Sequence, residues 1–393
     1  MRTCLRPVKR LAVPAFGRFA AAALVYLALA IPAGASAQYV DTPAKFAYLI
    51  DLSSETVLLE KHADVPTAPA SMSKMMTVLM LLERIENGTL SLDDTFPVSE
   101  RAWRKGGSKM FVKVGTRVSV GDLLRGIIVQ SGNDACIVVA EGLSGSEAAF
   151  AAEMTARASE LGMENSNFVN STGWPDDGHE MSSRDLAKLA RILIENHSVH
   201  YPMFSEKSFE YNDIRQRNRN PLLSDQIGAD GLKTGHTERS GYGLTASAER
   251  KGRRLILVLN GLESSSQRAQ EAERLLEWGF RSFDAHRLFE AGQVVEHAPV
   301  WLGDQETVPL ILNDSLTVTL SRKARKGMQA TIKYDAPIAV PISKGDVLGT
   351  LTVTAPDTDP VVRNLVAGAS VEPLGPVGRV LGLTQHWLSR VLP

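Results

Sequence analysis

Ser71-Met-Ser-Lys74 sets a hydroxyl and an amine three positions apart, and it is the only Ser-x-x-Lys in the chain. On a helix, positions i and i+3 share a face, so the Lys74 amine can turn toward the Ser71 oxygen. A neutral amine there takes the serine proton as the oxygen attacks a carbonyl, and the positive end of a helix favours that neutral form. The spacing alone does not decide the matter. About one such match arises by chance in a chain of this size, and a serine at a helix start also serves as an N-cap.

Two further motifs tip the balance toward chemistry. Ser131-Gly-Asn133 follows, and then Lys233-Thr-Gly235, which stands immediately before a predicted strand. Other reactive residues are set aside. Cys4 falls in the N-terminal leader, so the chain beyond it keeps only Cys136, with no intrachain disulfide. Cys136 sits in Asp134-Ala-Cys-Ile-Val-Val-Ala140 and reads as a small buried hydrophobe. His179 has no second His or Cys at metal-ligand spacing, so neither a metal nor another cofactor is expected.

The elements that must position these motifs follow from periodicity. Tyr48 to Glu60 reads as a hairpin around Ser-Ser-Glu-Thr, and the pattern switches to helical spacing from Ser71 to Glu86. A second apolar helical stretch spans about 120–142, interrupted by a loop at Ser131-Gly-Asn, and a third spans Ser183 to Asn196. Gly241–Ala248 and Arg254–Asn260 read as antiparallel strands turned at Lys251-Gly252, followed by a helix over 266–284. Helices before and after a central sheet give an α+β class. Beyond about residue 290, short alternating runs such as Leu316-Thr-Val-Thr-Leu320 and Val347–Thr354 predict a small all-β module.

Ser-x-x-Lys, Ser-x-Asn and Lys-Thr-Gly, in this order, are the signature of penicillin-binding proteins and serine β-lactamases. Ala68–Thr77, Ser131–Ala135, Asp230–Thr237 and Gly241–Ala248 closely resemble the low-molecular-mass D-alanyl-D-alanine carboxypeptidases of the bacterial cell wall, over about residues 40–375. The resemblance implies a β-lactamase/transpeptidase-like domain, with a central antiparallel sheet and helices, over 38–285, then a β-rich domain over 290–374. It implies Ser71 as nucleophile, Lys74 as general base and Ser131 as proton relay to the leaving amine. Asn133 would bind the acyl amide and hold Lys74. Lys233 and Thr234, with Gly235, would receive the terminal carboxylate, and the N–H groups of Ser71 and His236 would form the oxyanion hole. Arg219 and Arg268 match the family pattern too, with a substrate-carboxylate role and ordinary surface charge equally open.

The resemblance also implies the activity: removal of the terminal D-alanine from peptidoglycan stem pentapeptides through an acyl-enzyme, with β-lactam antibiotics as covalent inhibitors. An endopeptidase cutting D-Ala–diaminopimelate cross-links, or a scaffold that no longer catalyses, would keep the same residues. No Glu-x-x-Leu-Asn lies between Ser131 and Lys233, which argues against a fast β-lactamase. In the loop Gly173–His179, Trp174 stands where the family leads one to expect Leu.

Composition fits this setting. The chain has 393 residues, 44% apolar and 22% charged, as in ordinary globular proteins. Its formal charge of −1 conceals Arg2, Arg6, Lys9, Arg10 and Arg18, all within residues 1–37, which hold no acid. The remainder is therefore acidic and offers no bulk attraction for nucleic acid. Those basic residues, the apolar run Phe19–Ile31 and the ending Ala35-Ser-Ala37 order themselves as a signal peptide over 1–37, so export to the periplasm is expected. At the other end, residues 375–393 place Val377, Val380, Leu381, Leu388 and Val391 on one helical face. Such a face suits contact with a membrane surface and packing on its own domain equally well.

Overall fold

The computed structural model describes residues 2–7, 40–224, 227–378 and 380. The apolar stretch of the expected leader lies outside the described residues, as does most of the expected C-terminal helix, of which 376–378 and 380 are helical. The chain divides into two compact units, Val40–Ser282 and Phe283–Pro393 together with Met1–Tyr39.

In the first unit, five antiparallel strands run in the order Ala229–Thr237, Gly241–Arg250, Arg253–Leu262, Phe46–Asp51 and Thr56–Lys61. The central strand shows why its sequence is apolar at every position from Leu255 to Leu259. Successive side chains point to opposite faces, so Ile256 and Val258 enter one core while Leu255, Leu257 and Leu259 enter another. The second core is closed by Ala272, Leu275 and Leu276 of the helix Ser265–Ser282. The first holds the helices Lys74–Glu86, Val120–Ile128, Asn133–Ser144, Glu147–Glu160 and Ser183–Asn196. Lys74–Glu86 is buried at every residue from Lys74 to Leu82. A helix apolar around its whole circumference belongs at the centre of such a cluster, and this one starts at the candidate chemistry.

The expected hairpin, the helix Ser183–Asn196 and the antiparallel strands on either side of Lys251-Gly252 are all present. Lys251 and Gly252 both have positive φ, 52° and 76°, as a two-residue hairpin turn demands. The interruption expected in 120–142 is present, between the helices Val120–Ile128 and Asn133–Ser144. Two expectations need correction. Lys233-Thr-Gly235 does precede the strand Gly241–Arg250, but it also lies in a strand of its own, Ala229–Thr237, which was not expected. The helix expected over 266–284 ends at Ser282, where Phe283–Phe289 begins a strand.

In the second unit, seven strands are ordered Arg2–Pro7, Gln329–Ala336, Val347–Thr354, Val361–Ala367, Thr307–Ile311, Val294–Trp301 and Ile338–Ala339. Phe283–Phe289 pairs separately with Leu316–Ser321. Alternate positions, including Val308 and Leu310, Leu316, Val318 and Leu320, and Leu351 and Val353, fill a core of their own. The edge strand Arg2–Pro7 falls within the expected leader, so a processed chain would present Gln329–Ala336 at that edge.

Candidate active site

Ser71 lies in a 3-10 turn, Ala70–Ser73, which runs directly into the helix that begins at Lys74. Ser73 occupies the N-cap position and makes no capping hydrogen bond. The Ser71 hydroxyl instead accepts from Lys74 Nζ at 2.8 Å, so the capping role open to Ser71 in the sequence is not the one it takes. Lys74 is wholly buried, and its ammonium also donates to Asn133 Oδ1 at 2.8 Å and to the Thr172 carbonyl. Burial pulls the Lys74 pKa down to about 8, and the positive charges of Arg219 and Lys105 push the same way. A buried lysine so placed is available as a base close to neutral pH.

Asn133 begins the helix Asn133–Ser144, and both ends of its amide are committed. The oxygen faces Lys74, while Nδ2 donates to the Gly106 carbonyl at 2.9 Å. The Asp134 carboxylate next to it accepts from the backbone N–H groups of Met110, Phe111 and Val112, which ties the segment after Gly106 to this helix start. Ser131 has φ of 59° in the break between helices. Ala70, beside Ser71, has φ of 49°. Non-glycine residues held in this region are strained, and both belong to the segments that carry the candidate residues.

The strand Ala229–Thr237 supplies the third side. Lys233 Nζ donates to Ser131 Oγ at 2.9 Å and to the Thr234 carbonyl at 3.2 Å. Burial, and then the charges of Lys74 and Arg219, hold the Lys233 amine well below its ordinary range. Gly235 lets the strand press on the serine turn: a methyl group there would sit 2.8 Å from the Pro69 carbonyl oxygen and 3.1 Å from Ala70 Cβ. His236 is next along, exposed, its ring stacked on Tyr242 at 3.9 Å. Arg268 stands over the other ring of this pair, 5.8 Å from the Tyr242 centroid. Arg219 donates to the carbonyl of Gln130, adjacent to Ser131, at 3.2 Å. Two hydrogen-bonded sets thus lie close together, Ser71–Lys74–Asn133 and Ser131–Lys233, with Thr234, Gly235 and His236 following Lys233 on its strand and the two arginines at the margin.

A supporting residue escaped the sequence reading. Asn170 Oδ1 accepts from the N–H groups of Thr172, Gly173 and Trp174, and its Nδ2 donates to the Trp174 carbonyl. This side chain shapes the loop that presents the Thr172 carbonyl to Lys74. The signal available was Asn170-Ser-Thr-Gly173, since Asn readily folds a turn onto its own side chain. Gly173 is required there: its φ is 75°, and a methyl group would meet the Ala70 carbonyl oxygen at 2.0 Å. His179, at the far end of the loop, is 3% exposed and accepts from the Val169 N–H through Nδ1 at 3.1 Å. Burial pushes the Cys136 thiol up to about 12, so it stays protonated beside the site. Among the described residues, no group of three or more His, Cys, Asp or Glu side chains gathers as metal ligands would.

Comparison with known proteins places this geometry. The family described as D-alanyl-D-alanine carboxypeptidase matches residues 33–263, and that described as the penicillin-binding protein 5 C-terminal domain matches 283–373. The chain is similar to D-alanyl-D-alanine carboxypeptidase DacC of Escherichia coli, 37% identical over 372 residues, which covers 92% of this chain and 93% of the relative. It is likewise 37% identical to DacA of the same organism over 311 residues, 77% of each. Among solved structures, penicillin-binding protein 5 of Haemophilus influenzae superimposes with a TM-score of 0.79 at 34% identity, covering 85% of this chain and all of that one. Penicillin-binding protein D2 of Listeria monocytogenes, in its ampicillin-bound form, gives 0.57 at 30% identity, covering 62% and 99%.

Proposed function

Because this chain belongs to the D-alanyl-D-alanine carboxypeptidase family and is a hydrolase of the penicillin-binding type, we propose that Ser71 carries the acyl group as it removes the terminal D-alanine of peptidoglycan stem pentapeptides. One observation supports this above the rest: buried Lys74 Nζ lies 2.8 Å from both Ser71 Oγ and Asn133 Oδ1.

The substrate's terminal carboxylate sits against Lys233 and Thr234, with Arg219 and Arg268 adding positive potential. Anchoring a negative charge at Lys233 favours its ammonium form, against the burial and the Lys74 charge that lower its pKa. Neutral Lys74 takes the Ser71 proton while Oγ bonds to the carbonyl carbon between the two D-alanines. The N–H groups of Ser71 and His236 accept the negative charge that develops on the carbonyl oxygen. Collapse breaks the C–N bond as Ser131 passes its proton to the departing amine; the proton that Lys74 took from Ser71 replaces it on Ser131, so Lys74 is neutral again while Lys233 keeps its charge and its contact with Ser131. Water then attacks the ester, with Lys74 again as base, and releases the shortened peptide. A β-lactam offers the same carbonyl and carboxylate, but its amine stays tethered, so the ester persists. The crystal form of the Listeria relative with ampicillin supports extending that inhibition to this chain.

Residues 1–37 are read as a leader that delivers residues 38–285, the catalytic domain, and 290–374, the β-rich domain, to the periplasm. The apolar spacing of Val377, Val380, Leu381, Leu388 and Val391 in the sequence suits contact with the membrane surface. The test compares wild type with Ser71→Ala for D-alanine release from diacetyl-Lys-D-Ala-D-Ala and for labelling by a fluorescent penicillin. Both signals should vanish in the variant. Labelling without release in the wild type would favour an endopeptidase, and neither signal would leave a scaffold.

A further inference from the structure

Trp174 is the departure of this chain from its family's pattern, and its surroundings give the departure a use. The indole is 43% exposed, a large apolar surface at the edge of a site otherwise lined by polar groups. It lies beside Asn133: a methyl group on Gly107 would sit 2.7 Å from Asn133 Nδ2 and 2.9 Å from Trp174 Cζ3. Gly107, with φ of 78°, is packed closely against both, so the exposed indole adjoins the Asn133 amide. Lys105 extends over the indole, its Nζ 4.7 Å from the ring centroid. No carboxylate pairs with Lys105 among the described residues, and its charge already reaches Lys74.

A peptide held with its scissile carbonyl at Ser71 and its acyl amide at Asn133 would run on past Asn133, beside which the indole lies. The next side chain outward is that of the residue preceding the two D-alanines. An apolar plane capped by an unpaired cation recognises an aliphatic stem that ends in an anion. We propose that Trp174 and Lys105 form an outer subsite for that side chain, which selects a diamino acid bearing a free lateral carboxylate. The aliphatic chain lies on the indole and the carboxylate meets the Lys105 ammonium. This rests on the reading of Ser71 and Asn133 given above.

The experiment uses the full chain and two acetylated peptides, X-D-Ala-D-Ala, in which X is meso-diaminopimelate with its lateral carboxyl free or converted to the carboxamide. The two differ in charge and scarcely in shape. In wild type, kcat/KM for the free acid should exceed that for the amide by about fivefold, as suits a partly exposed charge pair. The ratio should shrink toward one in Lys105→Met and persist in Lys105→Arg. Trp174→Ala should lower kcat/KM for both peptides. Raising the salt concentration should erode the wild-type ratio, a measurement that needs no variant to fold. Equal rates for acid and amide in wild type, or a ratio that survives Lys105→Met, would overturn the subsite. Penicillin labelling of the wild-type chain is run alongside. Its absence would count against the Ser71 reading itself, whereas labelling with equal peptide rates would remove only the subsite.

Discussion

At the scale of the residue, the decisive quantity is the proton on Lys74. Taking an ammonium out of water is costly, and here the cost is left only partly offset, by one hydroxyl, one amide oxygen and one carbonyl, with no carboxylate within the cluster. The amine is thereby tuned to about 8. For a base the sign is plain: the neutral, active fraction rises as pH rises through the pKa. Second-order acylation of Ser71 by a penicillin should climb about tenfold per pH unit well below 8 and level off above it. Stopped-flow or quenched labelling between pH 5.5 and 9.5 reads this directly. A profile flat across pH 7 to 9 would mean that Lys74 is not the titrating base.

At the scale of the element, the site is three pieces of backbone brought to one point: a helix start, a break between helices and a strand. The helices and the central hairpins were legible because their apolar periods are long and unbroken, as in Met75–Leu82 and Leu255–Leu259. The strand carrying Lys233 was not. In Ala229-Asp-Gly-Leu-Lys-Thr-Gly-His-Thr237, glycines that allow close approach and polar groups stand where a strand normally shows branched apolar residues. The 3-10 turn at Ser71 was hidden for a similar reason, since a spacing of three looks alike in both kinds of helix. The loop 170–181 was visible only as a turn-rich stretch, because the Asn170 cradle is a matter of one side chain folding back on its own backbone.

That loop also makes a testable demand at its own scale. His179 is packed edge-on against Phe168 and accepts from Val169, and burial lowers its pKa to about 4. The Asp176 charge opposes this shift weakly, and the Lys74 charge reinforces it. Between an unfolded value near 6.5 and the folded value, the unfolded chain binds the extra proton, so stability falls as pH drops through that window. The loss attributable to this residue amounts to about 3 kcal/mol by pH 4. Denaturant unfolding at pH 7 and pH 4.5 should therefore show a smaller acid loss in His179→Gln than in wild type. Parallel losses would mean that the imidazole is not kept neutral by the fold.

At the scale of the whole molecule, chemistry and core-building are assigned to different stretches of chain. Every residue of the candidate site lies within Val40–Ser282, whose sheet is covered by apolar clusters on both faces. Phe283–Pro393 fills its own core from alternating strand positions and contributes none of the reacting groups. A polypeptide with separate cores need not unfold in one step, and damage to one core should register chiefly in the unit that owns it. Leu351 is fully buried in the β-rich core, so Leu351→Ala should remove about 2–5 kcal/mol from that unit. Two probes separate the consequences: circular dichroism follows loss of structure on heating, while fluorescent-penicillin labelling follows only the geometry around Ser71. The substitution should lower the temperature at which part of the dichroism signal is lost, yet leave the temperature at which labelling disappears within about two degrees of wild type. If both temperatures fall together, the β-rich unit is holding the catalytic geometry in place, and the separation of cores does not amount to a separation of stabilities.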